Sequence, residues 1–150
     1  MRFLCDQMLG SLAKWLRILG HDAAYVREGE GDDDRLLERA ADEERVLLTR
    51  DKELADRAAG AVLIEGTSLE RQLRRVFDAC DVEVSVDAML SRCTVCNVPV
   101  VAVDKTEVRG DVPEHAYEMH ERFWRCPSCG RVYWKGTHWD NMRGFIERFG

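Results

Sequence analysis

The chain has 150 residues, 33% charged and 45% hydrophobic, which excludes a disordered tail, a collagen and a bare coiled coil. Its 22 basic against 28 acidic residues give a net charge of −6, whereas nucleic-acid binders usually show a basic excess. The surplus is local: Glu28–Gly60 holds twelve acids and six bases, and the other 117 residues hold sixteen of each.

Met1–Cys5 is a short apolar run ending at Asp6 and reads as a first strand. Leu9, Leu12, Ala13, Leu16 and Leu19 recur at helical spacing, with Gly20 as a C-terminal stop. Asp22–Val26 reads as a second strand. Asp33 or Asp34 then opens a helix whose apolar face is Leu36, Leu37, Ala40 and Ala41. Val46–Thr49 is a third strand, and Asp51 begins a helix with Leu54, Ala55 and Ala58. Ala61–Ile64 is a fourth strand, and Ser68–Ala79 a fourth helix with Leu69, Leu73, Val76 and Phe77 inward. Short strands alternating with helices predict an α/β domain over residues 1–90, with a parallel sheet wrapped by helices.

Residues 91–150 differ in character. Val98–Val103 and Arg131–Trp134 look strand-like, little in 91–136 is long enough for a core helix, and Trp139–Phe149 suits a final helix with Met142, Phe145, Ile146 and Phe149 on one face. Two Cys-x-x-Cys pairs, Cys93/Cys96 and Cys126/Cys129, stand 29 residues apart. Each pair presents two thiolates to one metal, so together they predict a structural Zn²⁺ site closed by four protein ligands, a zinc ribbon. So small a module has too little core to fold unaided, and metal binding supplies the missing stability. Incidental or redox pairs are the competing reading. His138 could replace a ligand or bind metal separately, though it is more simply an ordinary polar residue. Cys5 and Cys80 read as buried small hydrophobes. Arg122, Arg125, Arg131 and Lys135 interleave with Phe123, Trp124, Tyr133, Trp134 and Trp139 in a stretch without acids. That mixture suits single-stranded nucleic acid, by backbone contact and base stacking; equally, the aromatics are core for the ribbon.

No apolar run approaches the ~18–20 residues that span a bilayer, so no membrane partner is expected. The opening MRFLCDQMLG lacks the apolar segment and cleavage site of a secretory signal, so a cytoplasmic protein is expected.

In an open α/β sheet, ligands bind beyond the carboxyl ends of the strands. Asp6, the Asp32–Asp34 run and Asp51 all fall there. Each alone is most simply a helix N-cap. Converging, they would repel one another unless a divalent cation intervened, and carboxylate ligands suit Mg²⁺ or Mn²⁺. Such an ion activates water and neutralises a phosphoryl transition state without a nucleophilic side chain. The Gly-Glu-Gly at 29–31 lacks the Gly-Lys-Ser/Thr that completes a phosphate loop.

The run Phe3-Leu4-Cys5-Asp6-Gln7-Met8-Leu9-Gly10, followed by Leu12–Asp22, resembles the opening of the Mut-seven C-terminal ribonuclease domain (Mut7-C) family. The likeness continues through Asp33–Leu37, Arg45–Asp51, Gln72-Leu73, Ser91–Asn97, Val112-Pro113 and Cys126–Trp139, in order along nearly the whole chain. It implies a PIN-like nuclease fold with an appended C-terminal zinc ribbon, and metal-dependent hydrolysis of RNA. By position, Asp6, Asp33 and Asp51 would hold the Mg²⁺ or Mn²⁺, with Asp34 a rival to Asp33. Arg17 and Arg50 would meet phosphate, and Glu65 is a weak candidate fourth acid; on the reading of the acid-free stretch above, Arg125 and Lys135 would contact RNA from the ribbon. PIN-like domains commonly self-associate, so a second copy or a protein partner is a further expectation. The competing readings are a phosphoacceptor receiver domain, which lacks support in Asp6-Gln7, and an inactive RNA-binding or protein-interaction module with a structural ribbon.

Overall fold

A computed structural model of the chain describes residues 1–27 and 32–148. The Gly-Glu-Gly segment at 29–31 and Phe149 lie outside the described residues. The chain divides into two compact units, Met1–Arg17 with His21–Glu83, and Ile18–Gly20 with Val84–Gly150.

The first unit alternates strand and helix: β1 (Arg2–Cys5), α1 (Gly10–Ile18), β2 (Asp22–Tyr25), α2 (Asp33–Asp42), β3 (Val46–Thr49), α3 (Lys52–Arg57), β4 (Val62–Leu63) and α4 (Leu69–Cys80). The four strands form one parallel sheet in the order β2-β1-β3-β4. Phe3, Leu4 and Cys5 are fully buried, as a central parallel strand covered on both faces requires. Leu4, Ala24 and Leu47 stand side by side in the register and pack with Leu36 and Ala40 of α2 and Leu54 of α3. Side-chain caps start three of the helices: Asp32 accepts from Arg35 N, Asp51 from Glu53 N and Leu54 N, and Ser68 from Arg71 N.

Arg45 fastens the amino-terminal edge of this sheet. Its Nη1 donates to Asp22 Oδ1 (2.7 Å) and to the Phe3 carbonyl (3.1 Å), and its Nε donates to Glu43 Oε1 (2.6 Å). Burial works against the Arg45 charge, but the bonds to Asp22 and Glu43 outweigh it and hold the guanidinium above its usual range.

The second unit carries the antiparallel sheet β5 (Val101–Val103), β6 (Phe123–Arg125) and β7 (Val132–Tyr133), in chain order. Helix α5 (Glu114–Met119) lies between β5 and β6, and α6 (Thr137–Glu147) follows β7. Val108, Val112 and Phe123 form the core, with Val103, Tyr117, Val132 and Trp134 against it. Several sequence expectations change here. Within 91–136 the helix α5 is six residues long and buries only Ala116. The strand expected at Val98–Val103 shortens to Val101–Val103, preceded by an isolated Arg92–Pro99 bridge. Ala41 is exposed, and Cys80, at the end of α4, is only half-buried. Among the described residues no helix is long and apolar enough to cross a membrane.

Candidate active site and metal centre

Asp6 follows β1 directly, and Asp51 caps α3 two residues beyond β3. These strands are parallel neighbours, with Cys5 opposite Leu48, so both carboxylates emerge at the same edge. A cavity of about 350 Å³ opens there, lined by Asp6, Asp33, Asp51 and Arg50, with Gln7, Met8, Val26 and Leu36 completing the wall. Three carboxylates face one guanidinium, which makes the cavity electronegative.

Thr49, which the sequence reading passed over as the last residue of a strand, ties this edge together. It is fully buried, its Oγ1 donates to Asp6 Oδ2 (2.8 Å), and it accepts from the Asp51 backbone N–H (3.0 Å). The Asp6 Oδ1 meanwhile accepts from Gln7 N (2.6 Å). One hydroxyl therefore orients the first carboxylate and anchors the start of the loop bearing the third. The available signal was the Thr-x-Asp spacing after a strand, which is also a common local turn.

The triple-Asp run divides its labour. Asp32 caps α2, Asp33 lines the cavity, and the Asp34 carboxylate is paired with Arg57 of α3. Arg17 lies elsewhere, with its Nε donating to the Ala23 carbonyl of β2 (2.7 Å). Glu65 is exposed beyond β4 and is not part of the cavity wall.

The second unit gathers the four expected cysteines. The sulphurs of Cys93, Cys96, Cys126 and Cys129 all lie within 4.8 Å of one another, and Cys93 Sγ is 3.8 Å from Cys129 Sγ. Zn–S bonds of about 2.3 Å at tetrahedral angles separate sulphurs by about 3.8 Å, so the donor set fits Zn²⁺. Burial opposes ionisation of Cys93, but hydrogen bonds from the Tyr133 hydroxyl (3.1 Å) and the backbone N–H groups of Cys96 and Val95 outweigh it, bringing the thiol down to about 6. A ligand thiolate needs that kind of support.

Both cysteine turns share the same wiring. The Arg92 Nη1 donates to the Asn97 carbonyl (2.6 Å) and the Arg125 Nη1 to the Gly130 carbonyl (2.9 Å). Asn97 and Gly130 both adopt positive φ, and their N–H groups return to the carbonyls of Cys93 and Cys126. Each arginine thus closes a loop over its own pair of sulphurs. His138 packs edge-on against Trp134 and stands outside the sulphur cluster.

The Mut7-C RNAse domain family matches residues 1–146, spanning both the acidic cavity and the sulphur cluster. The chain belongs to that family. The human protein named Exonuclease mut-7 homolog is 37% identical to it over 102 residues, which make up 64% of this chain and 12% of the human protein. The chain therefore corresponds to a small part of that relative. No solved structure matches. Membership of a Mut7-C RNAse domain family, with the likeness to a protein named as an exonuclease, supports a nuclease-type function.

Two residues of this Mut7-C chain were expected to touch RNA from the ribbon, and their surroundings differ. Arg125 spends donors inside the unit, on Gly130 O, Glu107 O and the Asp111 carboxylate (2.7 Å). The exposed Lys135 extends its ammonium over the Trp124 and Trp139 rings, 5.9 and 5.1 Å from their centroids.

Proposed function

We propose that the chain is a metal-dependent ribonuclease acting on single-stranded RNA at the acidic cavity. The observation that carries this reading is the shared wall of Asp6, Asp33, Asp51 and Arg50 at the carboxyl edge of a parallel sheet. Asp6, Asp33 and Asp51 would hold Mg²⁺ or Mn²⁺, since three hard oxygen donors in one cavity suit those ions and their mutual repulsion calls for a cation. Such an ion, when bound, supplies water activation and neutralisation of charge on the phosphoryl group. Thr49 keeps Asp6 turned toward the cavity, and the Arg50 guanidinium is available to meet a phosphate oxygen. Asp34 and Arg17, engaged elsewhere, fit supporting roles better. The sulphur cluster would hold a structural Zn²⁺, and Lys135, with Arg125 at its margin, would contact the strand. A four-thiolate metal site would suit a reducing, cytoplasmic setting.

The test is cleavage of end-labelled single-stranded RNA with Mn²⁺ added. Asparagine is as good a helix cap as aspartate, so Asp51→Asn keeps the start of α3 while removing a charge from the cavity. Cleavage by the wild type and its loss in Asp51→Asn, with an unchanged circular dichroism spectrum, is the expected result. Absence of cleavage of both RNA and single-stranded DNA, with no saturable Mn²⁺ binding, would overturn the reading.

A further inference from the structure

A second cavity, of about 100 Å³, lies wholly within the ribbon unit, beside the ends of β6 and β7. Its walls include Trp124, Tyr133, Trp134, Asp87, Ser91 and Lys135. Sites that enclose a complete small molecule usually measure about 300–1,000 Å³, so this one suits a single ring system belonging to a larger ligand. The half-buried indoles of Trp124 and Trp134 offer flat faces for such a ring.

The polar groups on the wall form an unequal set. The Tyr133 hydroxyl is already used on Cys93 Sγ and Thr94 N, so it contributes ring surface rather than recognition. The Ser91 hydroxyl donates to the Ala88 carbonyl (2.6 Å), which leaves its oxygen as an acceptor. Asp87, in the 3-10 turn Val86–Ala88, adds a carboxylate that only accepts when ionised. Lys135 supplies the donor, held near the wall by the two indole faces beneath it. Two acceptors beside one cationic donor complement guanine, whose Watson–Crick edge sets two adjacent N–H donor groups next to the O6 acceptor. Adenine and cytosine each offer one donor group on that edge beside acceptors, and uracil one donor between two acceptors.

From this chemistry we infer that the cavity is a base pocket selective for guanine in single-stranded RNA. The inference rests on the proposed RNA substrate, but its test needs no cleavage. The full zinc-loaded chain, with no magnesium or manganese added, is titrated with the pentanucleotides UUGUU, UUAUU, UUCUU and UUUUU while tryptophan fluorescence is followed. UUGUU is expected to bind about tenfold more tightly than the others, the usual scale for one paired base edge. Asp87→Asn, at an exposed position, brings UUGUU down to the affinity of the other three pentamers measured with the same variant. Trp124→Ala weakens UUGUU about tenfold through lost stacking. Equal binding of all four pentamers, or a guanine preference intact in Asp87→Asn, overturns the inference. Guanine preference with no cleavage of RNA or single-stranded DNA and no saturable Mn²⁺ binding sinks the nuclease reading and leaves the pocket standing; cleavage without base preference does the reverse.

Discussion

Thr49→Val tests the wiring of the acidic edge most directly, because it preserves shape and deletes only the hydroxyl. Two bonds disappear: the donation to Asp6 Oδ2 at 2.8 Å and the acceptance from Asp51 N at 3.0 Å. A hydrogen bond to a charged acceptor contributes about 1.5–3 kcal/mol, and an orphaned buried N–H costs about 1–3 kcal/mol. Water reaches Asp6, which is half-buried, and Asp51, which is exposed, so both contributions belong at the lower end of their ranges. The sum is a loss of about 2.5 kcal/mol, which lowers the melting temperature of a domain this size by about 10 °C. Thr49→Ser keeps the hydroxyl and loses a methyl group, which costs about 1 kcal/mol in a packed site. Calorimetry of the three proteins, beside Mn²⁺ titration, separates the roles. Valine should weaken Mn²⁺ binding because Asp6 loses its orientation, and serine should not. Equal stability loss in both variants, with unchanged Mn²⁺ affinity, would refute the bridging role.

Chelation of the ribbon should release one zinc per chain and expose the four ligand thiols to alkylation, counted by mass spectrometry. Cys5 should remain unmodified in the same experiment, since burial pushes its thiol up to about 12. Gly136→Ala would set a Cβ 2.7 Å from Trp134 Nε1 and 3.0 Å from its Cδ1. The displaced indole should cost about 1–3 kcal/mol and shift the tryptophan emission, whereas an unchanged spectrum would contradict that close packing. Glu43 is held below its ordinary 4.5 by hydrogen bonds from Arg45 and Arg39, so it adds stability above that value and loses it as pH falls through the lowered one. Urea unfolding midpoints should therefore decline on acidification below about pH 4.5, and Arg45→Met should flatten that decline.

The α/β half of the fold was legible because its signals are redundant. A buried strand such as Phe3-Leu4-Cys5 is continuously apolar, and three of the four helices of this unit start at a side-chain cap. The cysteine site was legible from spacing alone, since two turns of fixed geometry leave few alternatives. The β6 strand and α5 were not. Phe123–Arg125 is too short to display alternation, and the six residues of α5 bury a single alanine. The Pro113 that precedes α5 was the one local clue. At the acidic edge, chain topology announced Asp6 and Asp51, but three consecutive aspartates carry no phase. Only the capping of α2 by Asp32 and the attachment of Asp34 to Arg57 single out Asp33. Thr49 stayed hidden because a threonine ending a strand is ordinary until its two partners are known.

The matching arginine latches on the two cysteine turns bear on how a metal is captured. An incoming ion would meet two preformed bidentate turns rather than four independently wandering thiols. The remaining entropic cost lies in bringing the turns together across the 29-residue excursion between them, about 3 kcal/mol from the length-dependent loop-closure term. Pairing of β5 with β6 shortens that same excursion, so this strand pair and a bound ion would stabilise one another. A mutation that loosens the strand pair, far from any sulphur, will be read out as poorer metal retention.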